Sequence, residues 1–169
     1  MRLYSGKVPV IAAEVTRTLL ASRDIESENP GEVEADVGAV LSQYLADERA
    51  VNERAKDLLD RTGKSQADYS RLRALAADER GIKVGDEALD YVLDQVVAML
   101  MHSVHVDEVY AADVDLRRKM APVFKKHMDV DTGLDAEVRA HIRNLREGTS
   151  AWEIEYERVL EQIKRRKGL

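Results

Sequence analysis

The densest gathering of groups able to do chemistry is His102-Ser103-Val104-His105-Val106-Asp107-Glu108. Two imidazoles three residues apart, followed by two carboxylates, are donor types that hold zinc or a harder divalent ion. A metal-dependent enzyme would centre on His102, His105 and Asp107, with His127, Asp129 or Asp131 supplying a fourth ligand from a later loop. The spacing departs from the strong helical zinc signature, in which two histidines lie four apart around a glutamate. The same residues also read structurally. Asp107 caps a following helix, and His102 ends the preceding one, where a donor or cation suits the helix dipole. One loop seldom supplies a whole metal site, so the structural reading is favoured and no cofactor is expected.

A basic run follows at Arg117, Arg118, Lys119, Lys125 and Lys126. On a helix, 118 and 125 share a face, as do 119 and 126, and Arg117, Arg118, Lys125 and Lys126 are the candidate contacts to an anion such as a nucleic-acid phosphate. No aromatics are interleaved to stack bases. The balance of 26 basic against 32 acidic residues leaves a net charge of −6, which opposes broad phosphate binding. Nucleic acid is therefore the weaker expectation, and a solvated helix face the stronger one. The basic tail Lys164-Arg165-Arg166-Lys167 fits the end of a helix, where it complements the dipole. Phosphate-loop and nucleophile-elbow motifs are missing. Cysteine is absent, which excludes disulfides, thiolate zinc sites and thiol nucleophiles.

The elements that must position these residues are helices. Val8, Ile11, Ala12, Val15 and Leu19 form one apolar stripe, with Pro9 in the first turn. Asn29-Pro30-Gly31-Glu32 reads as a helix start. From there Val33, Val37, Leu41, Tyr44, Val51, Ala55 and Leu58 hold a long stripe, faulted at Glu48. A shorter helix carries Tyr69, Leu72 and Leu75 and stops at Gly81. The 86–102 helix, with Leu89, Val92, Leu93, Val96, Val97, Leu100 and Met101, is the most apolar and is expected at the centre. The next helix begins near Asp107 and is interrupted by Pro122. Thr132 caps another, which Gly148 ends, and Ser150 with Glu153 forms a capping box for the last. Trp152 reads as the core anchor of that last helix. No apolar run approaches the ~20 residues that span a bilayer, and no targeting segment is visible.

The two halves of the chain, 1–84 and 85–169, show a weak internal repeat. Val15 pairs with Val96, Leu19 with Leu100, Ser22 with Ser103 and Ile25 with Val106 at one offset. After two loop residues are dropped, Asp36 pairs with Asp115 and Leu41 with Met120. Each half then consists of a helix, a short extended link and a second helix. The links, 24–26 and 104–106, are placed to form a two-stranded ribbon. The fold class is all-α, with about six to eight helices around the 86–102 helix, as one compact unit or two docked halves.

With these residues in place, the chain resembles the bacterial domain of unknown function 507 family. The resemblance rests on Met1-Arg2-Leu3 with Lys7 and Pro9, on Glu79-Arg80-Gly81, on the segment from His102 to Val109, and on Leu116-Arg117-Arg118-Lys119. It continues through Glu147-Gly148-Thr149 and the closing stretch from Trp152 to Leu169. It implies a cytoplasmic bacterial protein and carries over no activity. The expected function is a non-enzymatic interaction or scaffold module whose partner is another protein or a second copy, away from membranes. Val51, Ala55 and Leu58 are the expected contact residues, on a segment from Glu48 onward that leaves the core.

Overall fold

The computed structural model describes residues 2–63, 65–128, 133–147 and 149–169, with the side chains of Gln66, Ser150 and Glu153 outside the description. Thr132 and Gly148, read above as a cap and a stop, and the Ser150–Glu153 capping box therefore lie outside the described residues. Seven α-helices are found among those described: α1 (Val8–Ala21), α2 (Pro30–Thr62), α3 (Tyr69–Arg80), α4 (Ala88–His102), α5 (Asp113–Met128), α6 (Leu134–His141) and α7 (Ser150–Lys167). Two short strands, β1 (Ile25–Glu26) and β2 (Glu108–Val109), complete the fold.

Four helices form a ring in which α1 packs on α2 and α5, and α4 packs on the same two. Exchanging α1 with α4 and α2 with α5 leaves that pattern unchanged, the arrangement that two helix–link–helix halves would produce. The ring encloses Ile11, Val15 and Leu19 of α1, Val33, Val37 and Leu41 of α2, Val96 and Leu100 of α4, and Leu116, Met120 and Phe124 of α5. This core runs from Leu3 to Met128 and so draws on residues from both 1–84 and 85–169. The α4 helix buries Val92, Leu93, Val96, Val97 and Leu100 and leaves Asp90, Asp94, Gln95 and Ala98 outside.

Pro30 opens α2 at its first helical position, and Gly63, at φ +62, closes it. Asn29 does not cap with its side chain. Instead the Asn29 N–H donates to the Ser27 hydroxyl at 3.0 Å. Over the 33 residues of α2, the buried edge slips from the expected Leu58 to Leu59, with Leu58 half-buried. The cause is geometric: a straight helix drifts by about 20° per seven residues against a strict heptad. Pro122 lies inside α5 without dividing it. Both Pro122 and Arg118, whose carbonyl loses its helical donor, are exposed, so water can satisfy that carbonyl.

Beyond α2, α3 folds back along the second half of that helix. It covers Val51, Ala55 and Leu59 with Leu72, Ala76 and Ala77. The α6–α7 pair builds a second apolar cluster from Leu134, Val138, Ile142, Val159 and Ile163, closed by Tyr4. Thr149 is the N-cap of α7, its Oγ1 accepting the Trp152 N–H at 3.3 Å. Trp152 is half-buried, stacked on Tyr156 at 5.0 Å, with the Arg139 guanidinium 5.3 Å from its ring. No helix among the described residues is long and apolar enough to cross a membrane.

The two ends of the chain meet. The Lys164 ammonium lies 5.7 Å from the Tyr4 ring. A Cβ built on Gly6 would stand 2.5 Å from the carbonyl carbon of Leu169 and 2.7 Å from the Gly168 oxygen. Those neighbours are backbone atoms and cannot rotate away as a side chain would. Gly6→Ala is therefore expected to lift the 168–169 turn off the 5–7 turn that precedes α1 at a cost of about 1–3 kcal/mol. Hydrogen exchange should quicken in the last turn of α7 while the ring core keeps its protection. Unchanged exchange there, with an unchanged Tm, would contradict this contact.

Candidate functional site

Two links join the helix pairs, residues 22–29 and 103–112, and they meet at one end of the ring. Their strands pair antiparallel, Ile25 opposite Val109 and Glu26 opposite Glu108. The second strand lies three residues later than expected because 103–106 are already committed to a turn. There the Val106 N–H donates to the Ser103 carbonyl at 3.3 Å, and the His105 N–H donates to the Ser103 hydroxyl at 3.1 Å. Only past that turn does the chain run straight enough to pair.

Each link braces a helix of the opposite half. Asp36 on α2 accepts the Ser103 hydroxyl at 2.6 Å and faces His105 Nδ1 at 2.9 Å. Asp24 of the first link, only 8% exposed, receives the Lys119 ammonium of α5 at 2.5 Å and also the Ser22 hydroxyl. The backbone adds further ties. The Asp107 N–H donates to the Glu26 carbonyl at 2.9 Å, and the Tyr110 N–H to the Asp24 carbonyl at 2.8 Å. The Glu28 N–H donates to Asp107 Oδ2 at 2.7 Å, and the Ser27 hydroxyl to the His105 carbonyl at 2.5 Å.

These contacts set the charges. The Ser103 hydroxyl, and after it His105, hold the Asp36 carboxyl below the usual carboxylate range against the opposing effect of burial. Burial pushes Asp24 up, but the hydrogen bonds from Lys119 and Ser22 together outweigh it and leave it lowered. The hydrogen bond to Asp36 raises His105. Tyr110 donates to Glu26 Oε2 at 2.6 Å, and that bond raises its phenol.

The three candidate metal ligands do not converge. His102 is exposed on the last turn of α4. His105 points Nδ1 at Asp36, and Asp107 holds the Glu28 N–H. Asp107 does not cap α5, which begins six residues later at Asp113. Its capping capacity serves the approach to α2 instead. His127 faces Glu14 of α1 at 2.6 Å. Asp129 and Asp131 lie outside the described residues. Among the described residues, no three His, Asp or Glu side chains gather as a metal site requires.

The basic run is largely tied to acids. Arg117 reaches Asp90 at 3.1 Å and also pairs with Asp94 across α4. Arg118 pairs with Asp115 at 2.8 Å, and Lys126 with Glu14 at 3.0 Å. Of the four candidate anion contacts, Lys125 alone has no acidic partner among the described residues.

The expected contact residues of α2 need correcting as well. Val51 and Ala55 are buried and Leu58 is half-buried, because α3 lies along them. The segment from Glu48 onward does not project. Arg73 of α3 supplies the counter-charge for Glu48 at 3.2 Å, so the fault in the stripe marks a helix–helix contact and not a departure from the core.

Exposed apolar side chains occur on several elements, among them Ile154 of α7 and Leu75 of α3, and three of them follow one another closely in the sequence. Val104 is 88% exposed, Tyr110 63% and Val114 71%, all at the link end of the ring. Glu26, Glu28, Asp107, Glu108, Asp113 and Asp115 belong to the same short stretches of chain. Sequence reasoning passed over these three because it followed apolar stripes. The available signal was the opposite one, apolar residues that fit no stripe.

The family model described as "Protein of unknown function (DUF507)" matches residues 1–169. No curated protein matches the chain.

The His105–Asp36 pair carries a pH signature. Asp36 is lowered and His105 raised, so the pair is fully charged between the two folded pKa values. A group raised on folding contributes stability that is complete below its unfolded pKa and is lost as pH rises through the folded one. Wild-type Tm should therefore fall from about pH 6 to pH 8 more than that of Asp36→Asn, which lacks the partner. Parallel profiles for the two proteins would show that the pair contributes nothing.

Proposed function

The chain belongs to the DUF507 family of proteins of unknown function, and for it we propose a non-enzymatic interaction role in the cytoplasm, docking a basic, partly apolar segment of a partner protein on the link end of the ring. The observation that carries this reading is the exposure of Val104, Tyr110 and Val114 within eleven residues. Single surface apolar residues are ordinary, and three this exposed on one link and the helix start after it, interspersed with carboxylates, support an interaction surface. Tyrosine suits such a site because its ring supplies area while its hydroxyl stays satisfied, here by Glu26.

These carboxylates choose the partner. They give this end a negative field that speeds the approach of a basic segment and opposes an acidic one. The bracing of both links supports the same reading, since a preordered surface loses little conformational freedom on binding. His105, Asp36 and Asp107 are engaged in that bracing, which suits a platform better than a reacting centre.

The test uses two synthetic amphipathic helices, one of leucine and lysine and one of leucine and glutamate. Wild type should bind the lysine peptide, more weakly as salt is raised because the Debye length is about 10 Å at 0.1 M. Val104→Asp combined with Val114→Asp should lose about tenfold or more in affinity, a difference of about 1.4 kcal/mol, with an unchanged Tm. Equal binding of both peptides, or equal binding by the double variant, would refute the docking surface.

A further inference from the structure

A second feature lies at the middle of α2, beyond Asp36 and away from the residues of the link end. Where α2, α3 and α4 meet, a cavity of about 670 Å³ opens, within the range of small-molecule sites. Its accessible apolar lining is Tyr69, Val84 and Leu89, all half-buried, with the buried Leu3, Val92 and Phe124 behind them. Its polar wall is Glu48 and Asn52 of α2 with Arg73 of α3, and the exposed Arg2, Ser70 and Asp86 add one further charge of each sign to the lining.

Glu48 occupies a position where the stripe of α2 calls for an apolar residue, between Tyr44 and Val51. Its side chain is 16% exposed and that of Arg73 25%, so both charges are partly withdrawn from water and favour hydrogen-bond partners. They have some. Arg73 Nη2 donates to Glu48 Oε2 at 3.2 Å, and Arg73 Nε donates to Asn52 Oδ1 at 2.7 Å. That leaves three polar atoms on this wall without a protein partner among the described residues: the donors Arg73 Nη1 and Asn52 Nδ2, and the acceptor Glu48 Oε1. A bare helix–helix ion pair would not require a cavity beside it.

We propose that this cavity binds a small neutral molecule with a flat apolar body and an amide or lactam head, the body on Tyr69, Val84 and Leu89 and the head on Glu48, Asn52 and Arg73. The head's carbonyl oxygen accepts from Arg73 Nη1 or Asn52 Nδ2, and its N–H donates to Glu48 Oε1. Charge sets the selectivity. A carboxylate head meets Arg73 but is opposed by Glu48, and an amidinium head meets Glu48 but is opposed by Arg73. Only a neutral head that both donates and accepts satisfies the wall as it stands.

Three probes of the same size separate these cases: benzamide, benzoate and benzamidine, titrated into the full-length protein and followed by the NMR signals of the Asn52 side-chain amide and the Arg73 Nε–H. Benzamide should saturate with a Kd of about 1 mM, as expected for so small a ligand. Benzoate and benzamidine should bind about tenfold more weakly or not at all. In Glu48→Gln, which keeps the shape and removes the opposing charge, benzoate should gain about tenfold, while benzamide stays within about threefold because the glutamine oxygen still accepts. The inference is overturned if benzamide produces no saturable shift in wild type up to about 10 mM, or if either charged probe binds wild type as tightly as benzamide does. The wild-type arm needs no variant, so it stands even if Glu48→Gln is poorly folded.

Discussion

The fold depends on two aspartates, each placed on one half of the chain to hold the other. Asp36, near the start of α2, fixes the second link through Ser103 and His105. Asp24, in the first link, fixes α5 through Lys119. Each tie crosses between the halves, so neither link can leave without releasing a helix of the opposite one. The strand pair alone would not hold the links, because two-residue strands are marginal unless packed against something larger. Its backing is the ring core, into which Ile25 is buried and against which Val106 and Val109 pack. The charged ties then set where the links lie on that core. They explain how Val104, Tyr110 and Val114 stand exposed on an ordered base.

Much of the architecture was legible in the sequence because it is written locally. An apolar residue every three or four positions, with Pro30 at a start and Gly63 or Gly81 at a stop, describes a helix without knowledge of its neighbours. The short extended links between helices, read as a ribbon, do pair as a two-stranded antiparallel sheet. The family strings at the two ends also acquire a physical meaning. Leu3 packs into the ring core, Tyr4 closes the α6–α7 cluster, and Gly6 leaves room for the backbone of Gly168 and Leu169.

The rest depends on contacts between residues distant in sequence, for which spacing gives no signal. Asp107 looks like a cap, and it is one in chemical terms, but the N–H it holds belongs to Glu28. The histidines of 102–108 read as ligands because they are adjacent in the chain, yet His105 is directed to Asp36 by a turn at Ser103. Val51 and Ala55 read as contact residues because Glu48 breaks the stripe before them, and only the return of α3 over α2 shows what covers them. Glu48 was recognised as anomalous but explained by the wrong cause. An anomaly in a stripe says that something polar is adjacent, and not whether it is solvent, an arginine or a cavity.

The most direct test of the account is hydrogen exchange at the Asp107 and Tyr110 amides, which donate to the carbonyls of Glu26 and Asp24. If the links are braced into a platform, these two amides exchange only through the opening that also releases the ring, and their protection matches that of core amides in α1 and α5. Exchange at the rate of an exposed loop, while α1 and α5 remain protected, would mean that the links open independently and that the exposed side chains stand on no fixed base.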